Sequence, residues 1–86
     1  MHAVVVRVRF SGEPDEAMLR EQIVPRVKQA PGFVAGYWTR LDDEGLSMVV
    51  FESEENAKAA SEQVASRLPD DVSLESNDVR VVMAHG

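Results

Sequence analysis

Pro31-Gly32-Phe33-Val34-Ala35-Gly36-Tyr37-Trp38 sets a helix stop directly against a strand start. Pro31 lacks the N–H that a continuing helix needs, and Gly32 reaches the left-handed backbone region that closes one. From Phe33 onward the aromatic and β-branched side chains suit a pleated strand. A helix must precede this junction and a strand must follow it, and this boundary orders the rest of the chain.

Upstream, His2 to about Phe10 reads as a first strand. Val4, Val6, Val8 and Phe10 share one face, and Ala3, Val5, Arg7 and Arg9 share the other. Ser11-Gly12-Glu13-Pro14 then opens a helix: Pro14 suits its first position, and Asp15 and Glu16 suit the positive end of its dipole. Leu19, Ile23, Val27 and Ala30 recur at helical spacing. Pro25 conflicts with that stripe because it removes a backbone donor in mid-helix, and Arg26 falls inside it. A kink that re-phases the second half, or an arginine that snorkels to water, reconciles both.

Downstream, the second strand runs from Phe33 to about Leu41, Asp42-Asp43-Glu44-Gly45 turns the chain, and Leu46 to Phe51 is apolar at nearly every position, as a central strand is. Ser53 caps a second helix, with Glu54 and Glu55 in its first turn and Ala57, Ala60, Val64 and Leu68 as its buried stripe. Pro69 ends it. A polar loop through Asp70, Asp71 and Asn77 leads to a last strand from Val79 to about His85.

The order βαββαβ, with right-handed crossovers, predicts an α+β, ferredoxin-like sandwich: one four-stranded antiparallel sheet with two helices on one face. The 86 residues make a single domain, 1–86; a chain of that size buries only roughly 60–65% of its unfolded surface, so its stability is thin unless a partner adds burial. Strands one and three, the two most apolar, are expected in the centre. If Val4, Val6, Val8 and Phe10 meet the helices, the opposite face is left bare and partly apolar, with Val34 or Phe33, Trp38 or Tyr37, Met48 or Val49, and Val82 or Met83 contributing. Such a face is rare in a monomer, and a second sheet covers it best. A symmetric homodimer is the expectation.

The late-helix proline (Pro25), Pro-Gly-Phe-x-x-Gly (Pro31 to Gly36), the hairpin, the apolar strand and the Ser-Glu-Glu-x-Ala helix start (Ser53 to Ala57) together resemble the antibiotic-biosynthesis monooxygenase-like group of dimeric α+β barrels. The resemblance covers nearly the whole chain and implies that fold and its dimer. That group includes cofactor-independent oxygenases, heme-degrading enzymes and regulatory ligand-binding domains, so it does not transfer one activity. Heme-degrading relatives use a histidine on the second helix and an asparagine on the first strand. Neither is present between Glu54 and Leu68 or between His2 and Phe10. Relatives that oxidise polycyclic aromatics use Trp, Tyr, Asn or Arg in a pocket between sheet and helices, and Trp38, Tyr37 and Arg80 are residues of those types.

The functional expectation is therefore a small dimeric protein of unassigned reaction that binds a small apolar or aromatic molecule between sheet and helices. Phe33, Tyr37, Trp38, Met48 and Met83 are the candidate pocket wall. One alternative is a cofactor-independent monooxygenase acting on a phenolic substrate, with Trp38, Tyr37 and Arg80 as its candidate catalytic residues. The other is a ligand-sensing or subunit-interaction module. No cofactor and no metal is expected: the chain has no cysteine, and its two histidines, His2 and His85, have no carboxylate at ligand spacing. The net charge of −6, with nine basic residues scattered among fifteen acids, argues against nucleic acid. No apolar run spans a bilayer, and a cytoplasmic address follows by default. Arg7 and Arg9 suit either an anion clamp or ion pairs across a dimer to acids such as Glu52 or Glu75.

Overall fold

A computed structural model of the chain describes residues 1–13, 16–66, 68 and 70–86, with Ala65 described by its backbone alone. The expectations for Pro14, Asp15 and Pro69 at helix ends lie outside the described residues. The strands are β1 (His2–Phe10), β2 (Phe33–Leu41), β3 (Glu44–Phe51) and β4 (Val72–Val81). The first helix spans 16–28 and the second Glu54–Ser66. All pairings are antiparallel and the sheet order is β2-β3-β1-β4, so the two most apolar strands are central. Both helices pack on one face. This α+β arrangement is compatible with a ferredoxin-like fold. Among the described residues, no helix is long and apolar enough to cross a membrane.

Pro25 explains the form of the first helix. The helix starts as an α turn (Glu16–Met18), widens into a π segment (Leu19–Ile23) and returns to α over Val24–Lys28. The Val24 N–H donates to the Leu19 carbonyl, five residues back. In an unbroken α-helix the Pro25 ring would press on the Glu21 carbonyl and leave it without a donor. A widened turn just before the proline absorbs that mismatch. The extra residue also rotates the final turns of the helix by roughly 100°. Arg26 is thereby exposed, while Val27 and Ala30 stay against the core.

Apolar side chains from both layers meet between sheet and helices. Val4 and Val6 of β1, Val49 and Phe51 of β3 and Ala57 of the second helix are buried together. Val27, Phe33, Trp38, Ala60 and Val64 pack around them. The Phe33 and Phe51 rings meet edge to face, with centroids 6.4 Å and planes 83° apart. Two glycines make room for large neighbours. A Cβ on Gly36 would come within 2.8 Å of the Trp38 indole, and one on Gly45 within 2.8 Å of the Phe10 ring.

The helix-to-strand junction forms as its sequence predicts. Gly32 has φ 78° and packs on the Asn56 side chain, and its carbonyl accepts the Glu52 N–H at 2.8 Å. Ser53 caps the second helix, its Oγ accepting the Asn56 N–H at 3.1 Å.

Two boundaries differ from expectation. The hairpin turn is only Asp42-Asp43, with Asp42 at φ 56°, and β3 already begins at Glu44. The last strand covers Val72–Val81 rather than Val79 to His85. The ladder offered by β1 overrides the poor strand propensity of Ser73, Ser76, Asn77 and Asp78. Ser61 reinforces it by donating from Oγ to Asn77 Oδ1 at 2.7 Å.

Gly45→Ala should lower the unfolding free energy by about 1–3 kcal/mol, because Phe10 and Val8 must give way. Urea denaturation measures this, and an unchanged midpoint would show that the contact is slack.

Candidate functional site on the open sheet face

Register assigns the two faces. Val4 pairs with Val49 and Val79 on the helix side, and Gly36 also pairs with Val49. Val5 pairs with Met48, and Met48 with Tyr37, on the open side. The β2–β3 ladder skips Val34 between Phe33 and Ala35, and the β1–β4 ladder skips Glu75 between Leu74 and Ser76. Each skipped residue is a bulge that re-aims its strand.

The open face has two chemically distinct ends. At the hairpin end, Arg7 Nε lies 3.0 Å from Glu44 Oε1. Arg9 donates from Nε to Glu75 at 2.7 Å and from Nη1 to both oxygens of Asp43 at 2.9 Å. Glu75 first, then Asp43, raise the Arg9 proton affinity above the ordinary guanidinium value. Arg9 thus finds Glu75 within its own chain, and both arginines are already neutralised. Leu46 and Leu41 share that end of the face and are also exposed. Toward the other end β2 and β3 present accessible apolar side chains, with Tyr37 64% exposed and Met48 and Val34 each 45% exposed, while Arg80 and Asp78 of β4 stand beside Ala3 and Val5.

A tail crosses that end. The Val82 N–H donates to the Met1 carbonyl at 3.0 Å, after which the chain leaves the sheet. Val82, Ala84 and His85 share a cavity of about 390 Å³ with Val34, Tyr37, Met48 and Val50. β4 and β2 are opposite edges, three strand spacings or roughly 14 Å apart. Four extended residues reach about that far. The tail therefore lies across the open side, where Ala3 is 3% exposed. Met83 alternates outward from the cavity and is 93% exposed.

The residues singled out from sequence divide between these environments. Trp38 and Phe33 belong to the core between sheet and helices. Tyr37, adjacent to Trp38, points to the opposite face and lines the open cavity with Met48. Arg80 is on the far edge strand, 64% exposed, with its Nη2 3.4 Å from Asp78 Oδ2. The structure does not bring Trp38, Tyr37 and Arg80 together. Met83 stands apart on the tail. Sequence reasoning did not place Val50 or His85 at this cavity. The tail's crossing leaves no periodic signature, and only the β-branched Val34 beside Gly36 hints at a bulge.

His2 and His85 lie on opposite faces. His2 Nε2 is 3.2 Å from Glu54 Oε2, and Lys58 Nζ is 2.7 Å from Glu54 Oε1. His2 Nδ1 is buried without a hydrogen-bond partner. A shallower groove of about 170 Å³ runs between the helices, with Arg26, Asn56 and Gln63 over Ala30 and Ala60. No family model matches this chain, and no curated protein matches it either.

Lys58, followed by His2, holds the Glu54 carboxyl below its ordinary value. A lowered folded-state value stabilises the fold above the ordinary glutamate range, and that gain is lost as pH falls through the folded value. Glu54→Gln should therefore lower Tm slightly at pH 7 and not at pH 3. An equal effect at both would mean the pair is energetically silent.

Proposed function

We propose that this chain is a self-associating module in which two copies pack open face to open face as a dimeric α+β barrel. The observation that carries this reading is the exposed apolar surface of β2 and β3 on the open face, with Val34, Tyr37 and Met48 all accessible. Contiguous apolar surface of this kind marks an interaction site. Area supports it. The 9.5 kDa chain exposes 6084 Å², about 1,000 Å² more than the roughly 5,000 Å² of a folded monomer of that mass. The excess is close to the roughly 800 Å² that each partner contributes to a standard interface.

The two ends of the face favour one orientation. A two-fold axis along the strands lays the Val34, Tyr37 and Met48 surface on its own copy and leaves the Arg7–Glu44, Arg9–Asp43–Glu75 and Arg80–Asp78 pairs at a wet rim. This is the usual division of an interface into apolar core and polar border. Crossing the ends would bury ion pairs against hydrocarbon at a desolvation cost.

An interaction role is favoured over a catalytic one. The space between sheet and helices holds Trp38, Phe33 and their neighbours, and among the described residues the open-face cavity is larger than the groove between the helices. Trp38, Tyr37 and Arg80 are too dispersed to work on one substrate atom.

At micromolar concentration the chain should sediment at about twice its 9.5 kDa mass. Met48→Glu should weaken association by roughly 100-fold or more, since it places a charge in the apolar centre. A wild-type chain that sediments at the single-chain mass would contradict the proposal.

A further inference from the structure

We propose that the cavity under the tail is the socket for Met83 of a second copy, so that two chains exchange methionines across the paired open faces. This rests on the face-to-face pairing proposed above and states what fills the space between the sheets.

Knob and socket adjoin on the same surface. Val82, Ala84 and His85 line the cavity, whereas Met83 between them projects away from it. At 93%, Met83 is the most exposed large apolar side chain among the described residues. Its own chain therefore offers it nothing to pack on, although an apolar hole lies one residue away. A two-fold contact is self-complementary: each copy presents a projection and receives the same projection. An axis passing between Met83 and the cavity seats both methionines at once.

The chemistry of the socket fits. Val34, Met48 and Val50 supply an apolar wall, and the only side-chain polar groups at the cavity are the Tyr37 hydroxyl and the His85 imidazole. A volume of about 390 Å³ accepts an unbranched side chain together with the backbone turn that carries it. Methionine adapts to irregular apolar holes better than a branched residue does. Such an exchange would cover part of the excess accessible area noted above.

The chain has no cysteine, so disulfide trapping is unambiguous. Chains carrying Met83→Cys are mixed with chains carrying Met48→Cys, and in a second mixture with chains carrying Val34→Cys. Each mixture is oxidised mildly and run on a non-reducing gel. The expected result is a linked species of about twice the 9.5 kDa chain mass, forming from at least one mixture about tenfold faster than from either of its components alone. Sedimentation of Met83→Ser should show association weakened by about tenfold or more. If the wild-type chain dimerises, yet neither cysteine mixture gives a mixed disulfide and Met83→Ser associates as tightly as the wild type, the socket is overturned and the pairing stands. A monomeric wild-type chain would overturn both. The fluorescent apolar probe 8-anilinonaphthalene-1-sulfonate should bind the Met83→Ser chain more than the wild-type dimer. Stoichiometric binding to the wild-type dimer would mean that the cavity is open to a small molecule and would reject the methionine as its occupant.

Discussion

A β-strand shows its residues to two sides, and β1 is apolar on both. Val4 and Val6 face the helices and are buried, while Ala3 and Val5 face the other way. The two crossover connections put both helices on the same side, so the protein has one covering layer for a sheet with two apolar surfaces. Most other features of the molecule respond to that shortage. At the hairpin end of the open face, Arg7 and Arg9 with their carboxylates stand among the exposed Leu41 and Leu46. The opposite end is crossed by the tail. Between them a strip around Tyr37 and Met48 remains accessible.

The helix side is packed by specific local devices. The π turn before Pro25 keeps Val27 and Ala30 on the core while it turns Arg26 out. Gly36 lets the Trp38 indole lie over its own strand, and Gly45 makes the same allowance for Phe10 across the sheet. Large side chains thereby pack close to the backbone, and Trp38 and Phe33 sit in the space between sheet and helices. The accessible apolar side chains Tyr37 and Met48 lie on the other side of the sheet.

Much of this was legible in the sequence. Alternating valines gave β1 its faces, Pro31-Gly32 marked the junction, and Ser53 marked the helix start through a side-chain cap that the structure contains. The central position of strands one and three followed from their apolarity. The phasing of β2 and β4 was not legible, because bulges at Val34 and Glu75 interrupt the two-residue period that carries face information. The run from Ser73 to Asp78 reads as loop by propensity and is strand by pairing. Val81, Val82 and Met83 read as continuous strand, yet the ladder ends at Val81. A tail that turns across a face is held by tertiary position, which local composition does not encode. The candidate site was legible in part: Tyr37 and Met48 share the cavity, whereas Trp38 and Phe33 belong to the core and Arg80 to the far edge.

If another copy of the chain completes this fold, thermal unfolding must depend on protein concentration. If burial of the open face stabilises the native state, dilution must destabilise it. The account predicts a Tm that rises by several degrees over a hundredfold increase in concentration. A Tm that stays constant over that range would show that the single chain is already complete.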